Sequence, residues 1–212
     1  MDKISTRIDT VVFDLGGVLI DWNPEYVFRK IFPDERTMRY FFENICTHEW
    51  NLQQDAGRPL AQATEERVAL FPEWEEPIRA YYGRWEEMLG GPIEETVALL
   101  ERLRQQGTHR LLALTNWSAE TFPVALERYE FLHWFEGIVV SGQEGVIKPD
   151  ERIYRILIER YDVQPARAVF IDDNAVNARA AALVGMDYIH FTSPQQLARE
   201  LARRSIFSEN GL

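Results

Sequence analysis

The residues of this chain best suited to chemistry are Asp14, Thr115-Asn116, Lys148-Pro149 and Asp172-Asp173-Asn174. Carboxylates can act as nucleophiles or as ligands for hard cations, and a lysine among them can offset negative charge. Taken one at a time, each has a plainer reading. Asp14 could close a turn, Thr115-Asn116 could be a turn, Lys148 a solvated lysine, and Asp172-Asp173 an N-cap cluster. Their shared position argues otherwise. Each falls at or just after the carboxyl end of a short apolar run, where open α/β sheets place their ligands.

The elements that must hold them can be read from those runs. Thr10-Val11-Val12-Phe13 is a buried parallel strand running straight into Asp14. Gly16 and Gly17 follow, and they let backbone N–H groups crowd around whatever Asp14 faces. The pattern is then helical to about residue 90. Asn23-Pro24 reads as an N-cap and first helical position, Pro59 opens a helix, and Gly90-Gly91-Pro92 marks the return to the main domain. Further strands are expected at 111–115, 138–141, 168–172 and 188–191. Helices lie between them, with stops at Gly107 and Gly185, an N-cap at Ser118 and a capping box at Ser193. Strands alternating with helices predict an α/β fold, a Rossmann-like three-layer parallel sheet with an α-helical cap domain inserted after the first strand. The expected boundaries are 1–20 and 91–212 for the core and 21–90 for the cap.

Composition narrows the function. A hydrophobic content of 46% and a charged content of 27% are those of a water-soluble globular protein. A net charge of −11 argues against nucleic acid or an anionic membrane as partner. It leaves room for a small anionic substrate in a cleft where a cation or lysine reverses the local field. Met1–Ser5 has no apolar stretch behind it, so no secretory leader is expected. A single cysteine, Cys46, fits a reducing, cytoplasmic setting and reads as a core residue. The aromatics Trp22, Trp50, Trp74, Trp85, Tyr81 and Tyr82 are expected mostly in the core of the helical cap.

Phe13-Asp14-Leu15-Gly16-Gly17-Val18, Leu114-Thr115-Asn116, Lys148-Pro149 and Phe170-Ile171-Asp172-Asp173-Asn174 together resemble the four motifs of the haloacid dehalogenase superfamily. The branch is the one with a helical cap after the first motif, and the glucose-1-phosphate phosphatase-like members are similar overall. The resemblance implies a strand order with strand one between the second and fourth. It implies Asp14 as nucleophile, with Thr115 and Lys148 completing the catalytic set. Thr115, Asn116, Lys148 and Gly17 would bind substrate. Asp14, Asp173 and the carbonyl of Gly16 would hold Mg²⁺, with Asp172 as an additional or supporting ligand. A carboxylate can attack phosphorus and form an aspartyl phosphate that water hydrolyses. Carboxylates crowded together raise one another's pKa, so a divalent cation is the natural companion.

One departure stands out. Superfamily phosphatases usually carry a second aspartate two residues after the nucleophile, as general acid and base, and here that position is Gly16. The expected activity remains a Mg²⁺-dependent phosphomonoesterase acting on a small phosphorylated metabolite such as a sugar phosphate. Two alternatives stay open: a 2-haloacid dehalogenase using Asp14, and a low-turnover phosphate-binding or regulatory protein. In this architecture the cap reads the leaving group, through a loop expected to include His48, Glu49, Trp50 and Asn51. His48, Asp21, Asp55 and Glu49 are the stand-ins considered for the missing acid.

Overall fold

The computed structural model describes residues 7–207. At its centre is β1 (Thr10–Phe13), buried along its whole length. A strand with parallel neighbours on both edges and helices on both faces is shielded from water everywhere, which is why this stretch reads as an unbroken apolar run. β2 (Ile20–Trp22) and β3 (Leu89–Pro92) follow, then β4 (Arg110–Thr115), β5 (Gly137–Val140), β6 (Ala168–Asp172) and β7 (Asp187–His190). The main sheet has the order β5-β4-β1-β6-β7, so the first strand lies between β4 and β6 as expected. All its pairings are parallel.

Alternation along β1 divides the core. Val11 and Phe13 point into one apolar layer with Leu197 and Leu201, while Val12 points into the other with Ile153 and Leu157. The helices supply matching stripes. Glu151–Arg160 buries Ile153, Tyr154 and Leu157, and Pro194–Arg203 buries Leu197, Ala198 and Leu201. Their ends are built locally. Gly107 stops the helix Glu94–Gln106 at φ 62°, and Ser193 accepts from Gln196 N at the start of the last helix.

β2 and β3 had no counterpart in the sequence reading. They pair antiparallel, Ile20 opposite Pro92 and Trp22 opposite Leu89, with an irregularity between Asp21 and Trp22. Between them runs the inserted cap, including the helices Glu35–Tyr40, His48–Asp55, Leu60–Leu70 and Glu75–Gly83. Its interior is aromatic. Phe28 packs tilted against Phe41 at 4.8 Å between ring centroids, and Trp50 meets Tyr81 edge-on at 5.2 Å. Cys46 is buried, and burial pushes its thiol up to about 12. No helix among the described residues is long and apolar enough to cross a membrane.

Two local expectations differ from the structure. The segment 48–51 is the first turn of the helix His48–Asp55 and not a loop, because Thr47 accepts from Trp50 N as its N-cap. Ser118 does not cap a helix directly. It accepts from Glu120 N in a turn, and the helix begins later, at Phe122.

Candidate active site

The carboxyl ends of β1, β4 and β6 bring the predicted residues together. The N–H of Asp14 bonds the carbonyl of Ile171 at 2.8 Å, which continues the ladder by one residue and fixes the aspartate at the sheet edge. Asp14 Oδ1 accepts from Leu15 N at 2.7 Å, and its Oδ2 lies 2.8 Å from Lys148 Nζ. The same ammonium lies 2.7 Å from Asp172 Oδ2 and donates to the carbonyl of Leu114 at 3.1 Å. All three donors of Lys148 therefore have acceptors. Asp172 Oδ1 accepts from Asn174 N at 2.7 Å, so both of its oxygens are engaged.

Asn116 holds the lysine in register. Its amide oxygen accepts from Lys148 N at 2.8 Å, and its amide nitrogen donates to the carbonyl of Lys148 at 3.1 Å. The side chain expected to bind substrate is thus occupied as a strut, although Asn116 still lines the cavity described below. Thr115 is buried at the last position of β4. Asp173 stands over Gly17, whose φ of 74° suits glycine. A β-carbon on Gly17 would collide with the Asp173 carboxylate, so the missing side chain is what admits that carboxylate to the site.

One oxygen from each of Asp14, Asp172 and Asp173 falls within 4.8 Å of the others. Among the described residues, Asp14 and Asp172 share one ammonium, and Asp173 has no ion-pair partner. Burial, then the charge of Asp172, raises the Asp173 carboxyl above its usual range. Burial raises Asp14 strongly, with Lys148 opposing and Asp172 adding to it. Burial alone would lower Lys148, but Asp14 and Asp172 outweigh it and raise the ammonium. Three carboxylates against one cation leave a net negative cluster of oxygen donors, and that donor set fits a hard divalent cation.

Bordering Gly16 and Asn116 is a cavity of about 80 Å³ between core and cap. Gly16, Asn116, Trp117, Ser118 and Thr121 form its core side, and Trp22, Asn51, Asp55, Tyr82 and Trp85 form the rest. The aromatics expected in the cap interior therefore divide. Trp50 and Tyr81 are packed inside, whereas Trp22, Tyr82 and Trp85 face the cavity. Of the segment 48–51 only Asn51 reaches it. His48 and Glu49 are exposed, and Asp21 accepts from the Tyr26 hydroxyl at 2.6 Å. Asn51 and Asp55 are four residues apart on one helix, a spacing that puts them on one face. Ser118 was legible only as a helix N-cap, and Trp117 only as a neighbour of Asn116.

A sequence profile described as "haloacid dehalogenase-like hydrolase" matches residues 8–185. The sesquiterpene phosphatase astK of Aspergillus oryzae is 27% identical over 201 residues, 92% of this chain and 96% of that protein. The GMP/IMP nucleotidase YrfG of Escherichia coli is 25% identical over 196 residues, covering 85% of this chain and 81% of its own length. Among solved structures, the magnesium complex of the HAD family enzyme BT-2542 from Bacteroides thetaiotaomicron superposes with a TM-score of 0.68. It is 21% identical, over 87% of this chain and 93% of that one.

Proposed function

This chain belongs to the haloacid dehalogenase-like hydrolases, and from that premise we propose that it is a Mg²⁺-dependent phosphomonoesterase acting on a small phosphorylated metabolite. The observation that carries this reading is the convergence of Asp14, Asp172 and Asp173, of which only the first two are paired with the single buried ammonium of Lys148. A dehalogenase attacking carbon has no use for an acidic pair beside its nucleophile, whereas a phosphatase needs oxygen donors for a cation. Similarity to a sesquiterpene phosphatase and a nucleotidase supports ester hydrolysis.

In this reading, residues 21–90 form the cap and 1–20 and 91–212 the core. Asp14, Asp173 and the carbonyl of Gly16 would hold Mg²⁺, with Asp172 behind them, bonded to Lys148. The cation, when bound, would supply positive charge to the phosphoryl oxygens. An Asp14 oxygen attacks phosphorus, the ester P–O bond breaks, and an aspartyl phosphate results. Lys148 keeps positive charge beside the nucleophile as the phosphoryl group arrives, and the Thr115 hydroxyl donates to one of its oxygens. The N–H groups of Gly17 and Val18, expected from the sequence to crowd around the ligand, donate instead to the carbonyls of Ile20 and Leu15 at 2.9 and 3.3 Å and shape the turn. Trp22, Tyr82, Trp85 and Trp117 then form apolar walls for the leaving group. Such faces pack against the C–H side of a sugar, our preferred substrate class, and also against an isoprenoid chain.

The test is a panel of sugar, nucleoside and isoprenoid phosphates with Mg²⁺ or chelator, with 2-chloropropionate alongside. Mg²⁺-dependent phosphate release that is lost in Asp14→Asn is the expected result. Chelator-insensitive chloride release would establish the dehalogenase instead, and phosphate binding without turnover would establish a sensor.

A further inference from the structure

Gly16 leaves an unfilled place in the site. A β-carbon built on it would meet nothing within 4 Å, and the residue borders the cavity under the cap. A carboxylic acid also borders that cavity, but it comes from the cap. Asp55 is the last residue of the helix His48–Asp55. Its carbonyl accepts from Ser141 Oγ at 2.5 Å, which ties this end of the helix to the core. Nearby, Leu60 N donates to the Glu120 carboxylate at 2.8 Å, a second tie between cap and core.

The carboxyl group of Asp55 is held by a chain of polar contacts. Asn51 Nδ2 donates to Asp55 Oδ2 at 3.1 Å, the Tyr82 hydroxyl donates to Asn51 Oδ1 at 2.9 Å, and Gln54 Nε2 donates to that hydroxyl at 3.1 Å. Ser118 N–H, from the loop after β4, lies close enough to favour the ionised carboxylate. Asn51 and Gln54 share the helix of Asp55, and Tyr82 comes from the helix Glu75–Gly83, so two cap helices give the acid a defined direction in a cavity walled in part by aromatics. A carboxylic acid held this way, on the same cavity as the vacancy at Gly16, suits proton transfer.

We propose that Asp55 is the general acid and base of this enzyme, supplied by the cap in place of the side chain that Gly16 lacks. The proposal rests on the phosphatase reading above. In the first half-reaction the Asp14–phosphorus bond forms, the ester P–O bond breaks, and the Asp55 carboxyl proton passes to the departing alkoxide. In the second, Asp55 carboxylate takes a proton from water as the water oxygen bonds phosphorus and the Asp14–phosphorus bond breaks. The sum is ester plus water to alcohol plus phosphate, with both aspartates restored.

The surroundings suit this role. Burial pushes Asp55 up to about 7, against the Ser118 N–H and the charge of Lys148, which favour ionisation. Tyr82, on the helix Glu75–Gly83, is kept protonated by its own burial. Glu144, on the core helix against which this end of the cap packs, is paired with Arg160 at 2.8 Å. An acid half-ionised near neutrality can serve in both directions. It also follows that acid catalysis would operate only with the cap seated on the core, because Asp55 belongs to the cap and its ties belong to the core.

Single-turnover kinetics on the full chain with Mg²⁺ test this, comparing propyl phosphate with 4-nitrophenyl phosphate, whose alcohol departs readily as an anion. In Asp55→Asn, phosphoenzyme formation from propyl phosphate should fall by about 10²–10⁴-fold, while formation from 4-nitrophenyl phosphate changes only a few-fold. The aryl ester should then give a burst followed by slow turnover, because hydrolysis of the phosphoenzyme has lost its base. Adding Gly16→Asp to Asp55→Asn should restore the alkyl ester. Asp55→Glu, a variant that keeps the acid, should retain the wild-type preference between the two esters. An equal loss on both esters, or an unchanged alkyl rate, overturns the role of Asp55. If Asp14→Asn still turns over either ester, or the wild type hydrolyses neither, the phosphatase reading falls and takes this assignment with it.

Discussion

Lys148 and Asp172 form an ion pair of 2.7 Å in which neither side chain has any exposed surface. Removing one member of such a pair strands the other charge, at a cost of about 3–5 kcal/mol. Lys148→Met should therefore lower stability strongly as well as abolish turnover. Adding Asp172→Asn should recover part of the stability but none of the turnover. Denaturant midpoints of the single and double variants check this, and simple additivity would contradict the pairing.

Cation binding should be visible without turnover. An ion that binds only the folded cluster raises stability with its concentration, so the melting temperature should climb with Mg²⁺. Asp173→Asn should flatten that rise while barely altering the metal-free protein, since among the described residues the Asp173 carboxylate has no ion-pair partner. Asp172→Ala is a poorer probe than its neighbour. It would also take one of three acceptors from Lys148 and leave the N–H of Asn174 without its acceptor. A Mg²⁺ response in Asp173→Asn equal to that of the wild type would count against Asp173 as a ligand.

The adjacent glycines should respond in opposite ways. Gly17 sits at φ 74° with Asp173 against it, so Gly17→Ala must strain the backbone and displace the carboxylate. A loss of roughly 1–2 kcal/mol and a weaker Mg²⁺ response are expected. Gly16→Ala meets open space and should fold normally. Thermal melts with and without Mg²⁺ separate the two, and equal effects would contradict the geometry.

The pH dependence of stability carries a sign. Asp55 is raised from 3.8 to about 7 by burial, so between those values the folded chain holds a proton that the unfolded chain releases. Stability contributed by this group is present below the unfolded pKa and lost as pH rises through about 7. Asp55→Asn should remove that slope, so its stability relative to the wild type should improve from pH 4 to pH 7 and then level off. The whole change should be on the order of a few kcal/mol at most. Denaturant titrations of both proteins across this range measure it, and a difference that stays flat would mean that Asp55 is not raised.

The sequence by itself determined what depends on neighbours along the chain. Thr10–Phe13 is a buried strand because its residues are apolar and β-prone, and Asp14 must then stand at the sheet edge. Gly107 and Ser193 terminate and start helices through their own backbone freedom and hydroxyl. The motif spacing was enough to place Asp14 and Asp172 at strand ends, whereas Lys148, expected just after one, lies beyond the short helix Ser141–Glu144 that follows β5 and reaches the site from there. Tertiary structure decided what depends on distance through space. β2 and β3 escaped notice because three residues are too few to show alternation, and the Gly90-Gly91-Pro92 run of β3 reads locally as a break. Asn116 looked like a substrate contact until its amide was seen to be bonded to a residue 32 positions away. Asp21, Glu49 and Asp55 were equivalent acids in the sequence. Only docking of the cap onto Ser141 leaves Asp55 half-buried on the cavity that Gly16 also borders. Desolvation and Coulomb energy follow three-dimensional proximity, and one-dimensional order does not encode them directly.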